Sequence, residues 1–153
     1  MNKTVIHFGA YSVLLAFSLF LSGLYFGKGM DFSAQEIIGY TTIIASLTLV
    51  YFGIKHYRDK VNGKRLTFKN GMLTGILISL FPALGIAIAD YIYTSVINPD
   101  FFKEYVAMMK AQGHTGEIPE YSSGFMAMIM FFTVMIVGLV VSLISATLLR
   151  TKA

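Results

Sequence analysis

Hydrophobic residues fall into four long blocks separated by polar connectors. A helix needs roughly 20 mainly apolar residues to cross a hydrocarbon core about 30 Å thick, and each block approaches or exceeds that length. The first, VIHFGAYSVLLAFSLFLSGLYF, covers 5–26 and contains one imidazole, His7. The second, IIGYTTIIASLTLVYFGI (37–54), is shorter and rich in Thr and Ser, whose hydroxyls bond back to their own helix carbonyls. The third, 72–97, is longer than a crossing requires, so a tilt or a kink at Pro82 is expected. The fourth, 125–149, has no charged residue. This pattern predicts an all-α membrane protein: a single domain over 1–153, four transmembrane helices in a bundle, a connector at 55–71 and an outer loop at 98–123.

The first block exceeds a signal-peptide h-region and no Ala-x-Ala site follows it, so it is expected to be retained as a span. Composition agrees with membrane residence: 56% of the 153 residues are hydrophobic and 13% charged, about half the charged share of a soluble domain. There is no cysteine, which excludes disulfides, thiolate metal sites and a cysteine nucleophile. The net charge of +4 does not point to nucleic acid, since the chain offers neither a basic face on a soluble domain nor a stacking platform.

That charge is better explained by topology. With four spans, Lys3, Lys55, Arg58, Lys60, Lys64, Arg65, Lys69, Arg150 and Lys152 share one side with Asp59 alone. The opposite side holds Lys28, Lys103 and Lys110 against Asp31, Glu36, Asp90, Asp100, Glu104, Glu117 and Glu120. Because translocation of Lys and Arg is resisted, the basic side is expected to be cytoplasmic, with both termini inside. The connector KHYRDKVNGKRLTFKNG carries six cations: Lys55, Arg58, Lys60, Lys64, Arg65 and Lys69. With Tyr57, Leu66 and Phe68 interleaved they also form a candidate site for anionic lipid head groups, each cation contributing about 1 kcal/mol near the surface. Within it Asn62-Gly63 signals a tight type I′ turn, and Thr67 is a candidate N-cap for the third span.

In the outer loop, Asn98 as N-cap, Pro99 at the first helical position and Gly113 as a stop predict a short helix. Phe101, Phe102, Tyr105, Met108 and Met109 share one of its faces, so the helix is amphipathic and expected to lie along the outer interface. Lipid tails give no hydrophobic drive for helix association, so small residues mark where helices pack. Gly71, Gly75, Ser79, Ala83 and Ala87 recur every fourth residue on the third span, and Gly138, Ser142 and Ala146 do so on the fourth. Close contact between these two spans is expected, either within one chain or between copies; Gly23 and Gly27 form a shorter stripe.

Ionisable groups inside a span are functional candidates because charge is expensive in hydrocarbon. Asp90 lies 18 residues beyond Met72, about 27 Å along a helix, near the outer interface. It reads first as a structural, water-reachable carboxylate beside a Tyr91/Tyr93 aromatic belt, and second as an ion or proton site. His7 reads as interfacial. His7, His56 and His114 lack metal-ligand spacing and fall on both sides of the membrane, so neither a metal nor a cofactor is expected. No phosphate loop, serine elbow or paired carboxylates on a helix face appear, and HYRD at 56–59 lacks the Asn four residues on that a kinase loop needs. No catalytic residue is assigned.

Three stretches, YFGIKHYRDKVNGKRLTFKNGMLTGILISL, INPDFFKEYVAMMKAQG and VGLVVSLISATLLRTKA, resemble in the same order the small membrane proteins of domain of unknown function family 4199. The likeness runs from about Thr41 to the end, and the outer loop is shorter than in many members. The resemblance implies a bacterial inner-membrane location and four helices, and brings no catalytic residue. The function expected is a non-enzymatic accessory or scaffold for a membrane-protein partner or a second copy. The alternatives are lipid handling through the basic connector, with membrane lipids as partners, and an ion-coupled carrier built on Asp90.

Overall fold

The computed structural model describes residues 1–151, apart from the side chain of Phe32. Lys152, counted above among the connector-side cations, lies outside the described residues. The chain forms α1 (Asn2–Phe26), α2 (Phe32–His56), α3 (Phe68–Ile92), α4 (Phe101–Ala111) and α5 (Ser123–Leu149). Among the described residues there is no strand. Four stretches, Asn2–Phe26, Ser33–Val61, Phe68–Ile97 and Ser123–Leu149, are long and apolar enough to cross a membrane. Leu14, Ile44, Phe52, Ile88, Phe132, Ile136 and Leu148 are exposed on their flanks. A continuous apolar exterior of this kind is foreign to a soluble monomer and suits lipid.

The helices outrun their apolar blocks because polar residues extend and cap them. Thr67 accepts the Asn70 amide at 3.3 Å and starts α3, as the sequence indicated; Ser122 accepts the Phe125 amide at 3.3 Å and starts α5. The hydroxyls of Thr41, Ser46 and Thr48 donate to the carbonyls of Ile37, Thr42 and Ile44, so these three side chains are satisfied within their own helix. Pro82 does not break α3, which runs unbroken from Phe68 to Ile92.

Two wide helical turns prolong α2 and α3, over Tyr57–Val61 and Tyr93–Ile97. Each is closed five residues on, by Asn62 N–H to the Tyr57 carbonyl (2.9 Å) and Asn98 N–H to the Tyr93 carbonyl (2.7 Å). Both are π-helical turns of the type Tyr-x-x-x-x-Asn, with the tyrosine buried. They shift the elements after them. The connector turn is present, but Gly63 (φ 59°) and Lys64 (φ 61°) are its central residues, one position later than Asn62-Gly63. Arg65 N–H closes it on the Asn62 carbonyl at 3.1 Å. Likewise Asn98 ends the second wide turn instead of capping α4; the cap position is Asp100. The far end of α4 is the expected one. Gly113 (φ 90°) donates to the Lys110 carbonyl and His114 to that of Met109, a Schellman closure.

α3 is the most enclosed of the long helices. Its small-residue stripe meets α5 within the same chain and in antiparallel register. A Cβ placed on Gly71 would lie 2.9 Å from Ala146 Cβ, one on Gly75 2.7 Å from Ser142 Cβ, and one on Gly138 2.6 Å from Ser79 Cβ. Ser79 and Ser142 donate to the Gly75 and Gly138 carbonyls of their own helices, so the seam between helices is van der Waals packing. On its other side α3 packs on α1 through Gly9 against the Phe81 ring and Gly85 against Val13. Gly53 of α2 receives Ile78 and Phe8.

Candidate functional site

At one end of the bundle the six connector cations divide. Lys55, Lys60, Lys64, Arg65 and Lys69 are exposed. Arg58 turns inward: its Nε donates to Asp59 Oδ1 at 2.7 Å and its Nη1 to the Leu149 carbonyl at 3.4 Å. Tyr57 and Leu66, read from the sequence as head-group contacts among the cations, belong to the apolar core instead, while Phe68 stays exposed. They are apolar because they close the bundle, not because they face lipid. The Leu66 amide donates to Thr151 Oγ1 (2.7 Å) and the Thr151 amide to the Leu66 carbonyl (3.0 Å), a clasp between connector and chain end. The Phe8 and His56 rings, 5.4 Å apart, bring the start of α1 to this same end.

The opposite end opens into a cavity of about 360 Å³, walled by all five helices. α1 contributes Phe20, Gly23 and Leu24; α2 contributes Gln35, Glu36 and Tyr40 among others; α5 contributes Met126, Ile129, Met130 and Thr133. The apolar face of α4 forms a wall through Phe101, Phe102 and Tyr105, so these three side chains face the cavity. A polar tie fixes α4 there. Asn98 Nδ2 donates to Glu104 Oε2 at 3.0 Å, and the Asn98 side chain also meets the Tyr93 hydroxyl. The Tyr93 ring stands edge-on to Phe101 with centroids 5.9 Å apart.

α3 supplies one cavity residue, Asp90. Asp90 is 8% exposed where it lines the cavity, and its Oδ2 is fully buried with no hydrogen-bond partner. Its backbone carbonyl is occupied by the Thr94 hydroxyl at 2.9 Å. Glu36 is the other acid of the lining and is exposed, and among the described residues no Lys, Arg or His lines the cavity. The intramembrane-acid rule found Asp90. It could not find Glu36 or the three α4 aromatics, which join the site only through tertiary packing.

Of the packing stripe, Gly71, Gly75, Ser79, Ala83, Gly138, Ser142 and Ala146 are buried and Ala87 is half-buried. His7, His56 and His114 are exposed, with His7 edge-on to Tyr11. Among the described residues no three His, Cys, Asp or Glu side chains converge as a metal site.

No curated protein and no solved structure matches the chain. A family described as "Protein of unknown function (DUF4199)" matches residues 7–151. That match includes α1 from His7 onward, which lies ahead of the stretches that carry the resemblance in the sequence. The chain, over nearly its whole length, belongs to this family of proteins of unknown function.

Proposed function

We propose that this protein is a non-catalytic, multi-pass component of a bacterial inner membrane that binds a small amphipathic molecule in the cavity at its acidic end. The observation that carries this reading is the cavity itself. Five helices converge around about 360 Å³ of mostly apolar wall with a few polar groups, within the size range of small-molecule sites. A bundle built only to pack would close this space. The basic end faces the cytoplasm with both termini, held there by the resistance of Lys and Arg to translocation. Its five exposed cations rest among anionic head groups. Lipid contact at that end anchors the protein, and ligand binding takes place at the other.

The test is occlusion. Purified in a mild detergent, the protein is expected to retain a small molecule detectable by native mass spectrometry. Thr133→Trp, which fills the cavity from α5, is expected to lose it while keeping the helical circular-dichroism spectrum. Equal retention by both proteins would remove the cavity reading.

A scaffold role stands second, on a different observation. The most apolar window of α5 is 17% buried, against 50% for α3, which leaves a long flank of α5 open to a partner helix or a second copy.

A further inference from the structure

We propose that the cavity selects a lipophilic organic cation, an amine or quaternary ammonium whose charge lies at Asp90 and whose body lies against the aromatic walls. This rests on the reading that the cavity binds a ligand, and adds the sign and chemistry of that ligand.

Asp90 lies in the cavity wall. Its Oδ2 is fully buried and lacks a donor from the protein. Buried polar atoms are nearly always hydrogen-bonded, and an orphaned carboxylate oxygen in a low-dielectric wall is among the costliest exceptions. A cation in the cavity lined by Asp90 supplies the missing counter-charge, whether it is a protonated amine or a quaternary ammonium, which has no N–H to donate.

The lining has two acids, Glu36 at the exposed edge and Asp90 in the wall, and among the described residues no basic side chain of the lining neutralises either. An anion would meet uncompensated repulsion there. Phe20, Phe101, Phe102 and Tyr105 add ring faces, and a cation over an aromatic face gains about 0.5–2 kcal/mol.

An organic cation fits this lining better than a metal ion or a proton does. Hard cations take six or more oxygen ligands, whereas this lining spreads two carboxylates, the Gln35 amide and several Thr and Tyr hydroxyls among phenyl, thioether and aliphatic groups, and among the described residues no three acids converge. A proton needs no apolar volume. The net acidity of this end, seven carboxylates against Lys28, Lys103 and Lys110, favours approach of a cation at longer range.

The experiment uses the full chain in nanodiscs of neutral lipid and two probes of one shape, phenyltrimethylammonium and its uncharged isostere tert-butylbenzene, with binding read by equilibrium dialysis. Wild type is expected to bind the cation at least tenfold more tightly than the isostere. Asp90→Asn is expected to erase that preference. Glu36→Lys, at an exposed site that folding tolerates, is expected to weaken the cation severalfold and leave the isostere unchanged. If both probes bind wild type equally, and Thr133→Trp displaces both, the cavity binds ligands without charge selection and the cation proposal falls alone. If the preference survives both charge substitutions, the cation sits elsewhere and the proposal is overturned. If neither probe binds, the proposal is overturned too, while retention of another molecule lost in Thr133→Trp would leave the cavity reading standing.

Discussion

Gly75→Ala is expected to destabilise the protein although alanine is the better helix former. The new Cβ would lie 2.7 Å from Ser142 Cβ and 3.0 Å from Ile54 Cδ1. Carbon atoms prefer separations of about 3.5–4.0 Å, so α3 and α5 must part by about 1 Å at this level. Ser142 cannot turn away without loss, because the α5 backbone fixes the position of its Cβ and its hydroxyl is bonded to the Gly138 carbonyl at 2.7 Å. Parting the helices also loosens the Gly71–Ala146 and Ser79–Gly138 contacts one turn to either side. Overpacking of this kind costs about 1–3 kcal/mol, and the glycine-to-alanine gain in a helix returns up to about 1 kcal/mol. The balance is a net loss of up to about 2 kcal/mol, a fall in Tm of up to about 8 °C for a chain of this size. Thermal melts followed by circular dichroism in detergent would read it. Gly124→Ala, where no atom lies within 4 Å of the new Cβ, is the control and should not lower Tm. Adding Ser142→Gly to Gly75→Ala removes the obstruction and should recover most of the loss. A rise in Tm for Gly75→Ala, or no recovery in the double variant, would refute this account of the seam.

Two further outcomes are expected. Thr151→Val removes the acceptor of the Leu66 amide, a group buried under the connector; a lost bond of about 1–2 kcal/mol should speed hydrogen exchange at Leu66 about 5–30-fold, and an unchanged rate would show that the clasp does not hold. At the start of α4, the Lys103 ammonium donates to Asp100 Oδ1 at 2.9 Å and holds that carboxyl below its ordinary range. The pair therefore favours the folded helix start above the ordinary carboxylate pKa of about 3.9, and its contribution disappears as pH falls through the lowered value. Carbon-detected NMR titration should place the Asp100 midpoint below 3.9 in wild type and nearer to it in Lys103→Gln; equal midpoints would dissolve the pair.

The spans were legible because a bilayer crossing demands length and apolarity, and both are local properties of the chain. The caps at Thr67 and Gly113 were legible for the same reason, since each depends on a few adjacent residues. The two π-helical turns were not. Neither YRDKVN nor YTSVIN carries a breaker, and what ends each helix is an asparagine amide reaching back five residues, favoured by a tyrosine that packs into the core. Missing these turns displaced the connector turn by one residue and the start of α4 by about two. Arg58, Tyr57 and Leu66 were misread for a related reason: a connector dense in cations looks wholly solvated until the end of α5 is placed beside it. Asp90 was visible as an acid in a greasy segment, but its burial depends on helices remote in sequence.

The register of the α3–α5 seam explains why the cavity lies where it does. Each step of four along α3 is matched by a step of four back along α5, so Gly71, Gly75 and Ser79 meet Ala146, Ser142 and Gly138. Extending that register puts Ala83 level with Val134 and Ala87 level with Met130. Small residues therefore face small residues toward the basic end, and face larger ones toward the acidic end. Close approach is available only where neither helix presents bulk. Where α5 turns to methionine, its side chains stand between the helices and line the open space, as Met126 and Met130 do. Thioether chains are flexible and polarizable, a wall able to adjust to more than one apolar body. The arrangement joins a tight half, closed by the Leu66–Thr151 clasp, to an open half whose one contribution from α3 is an unpartnered carboxylate. A bundle with this gradient in side-chain size is closely packed at the basic end and leaves Asp90 beside open space at the other.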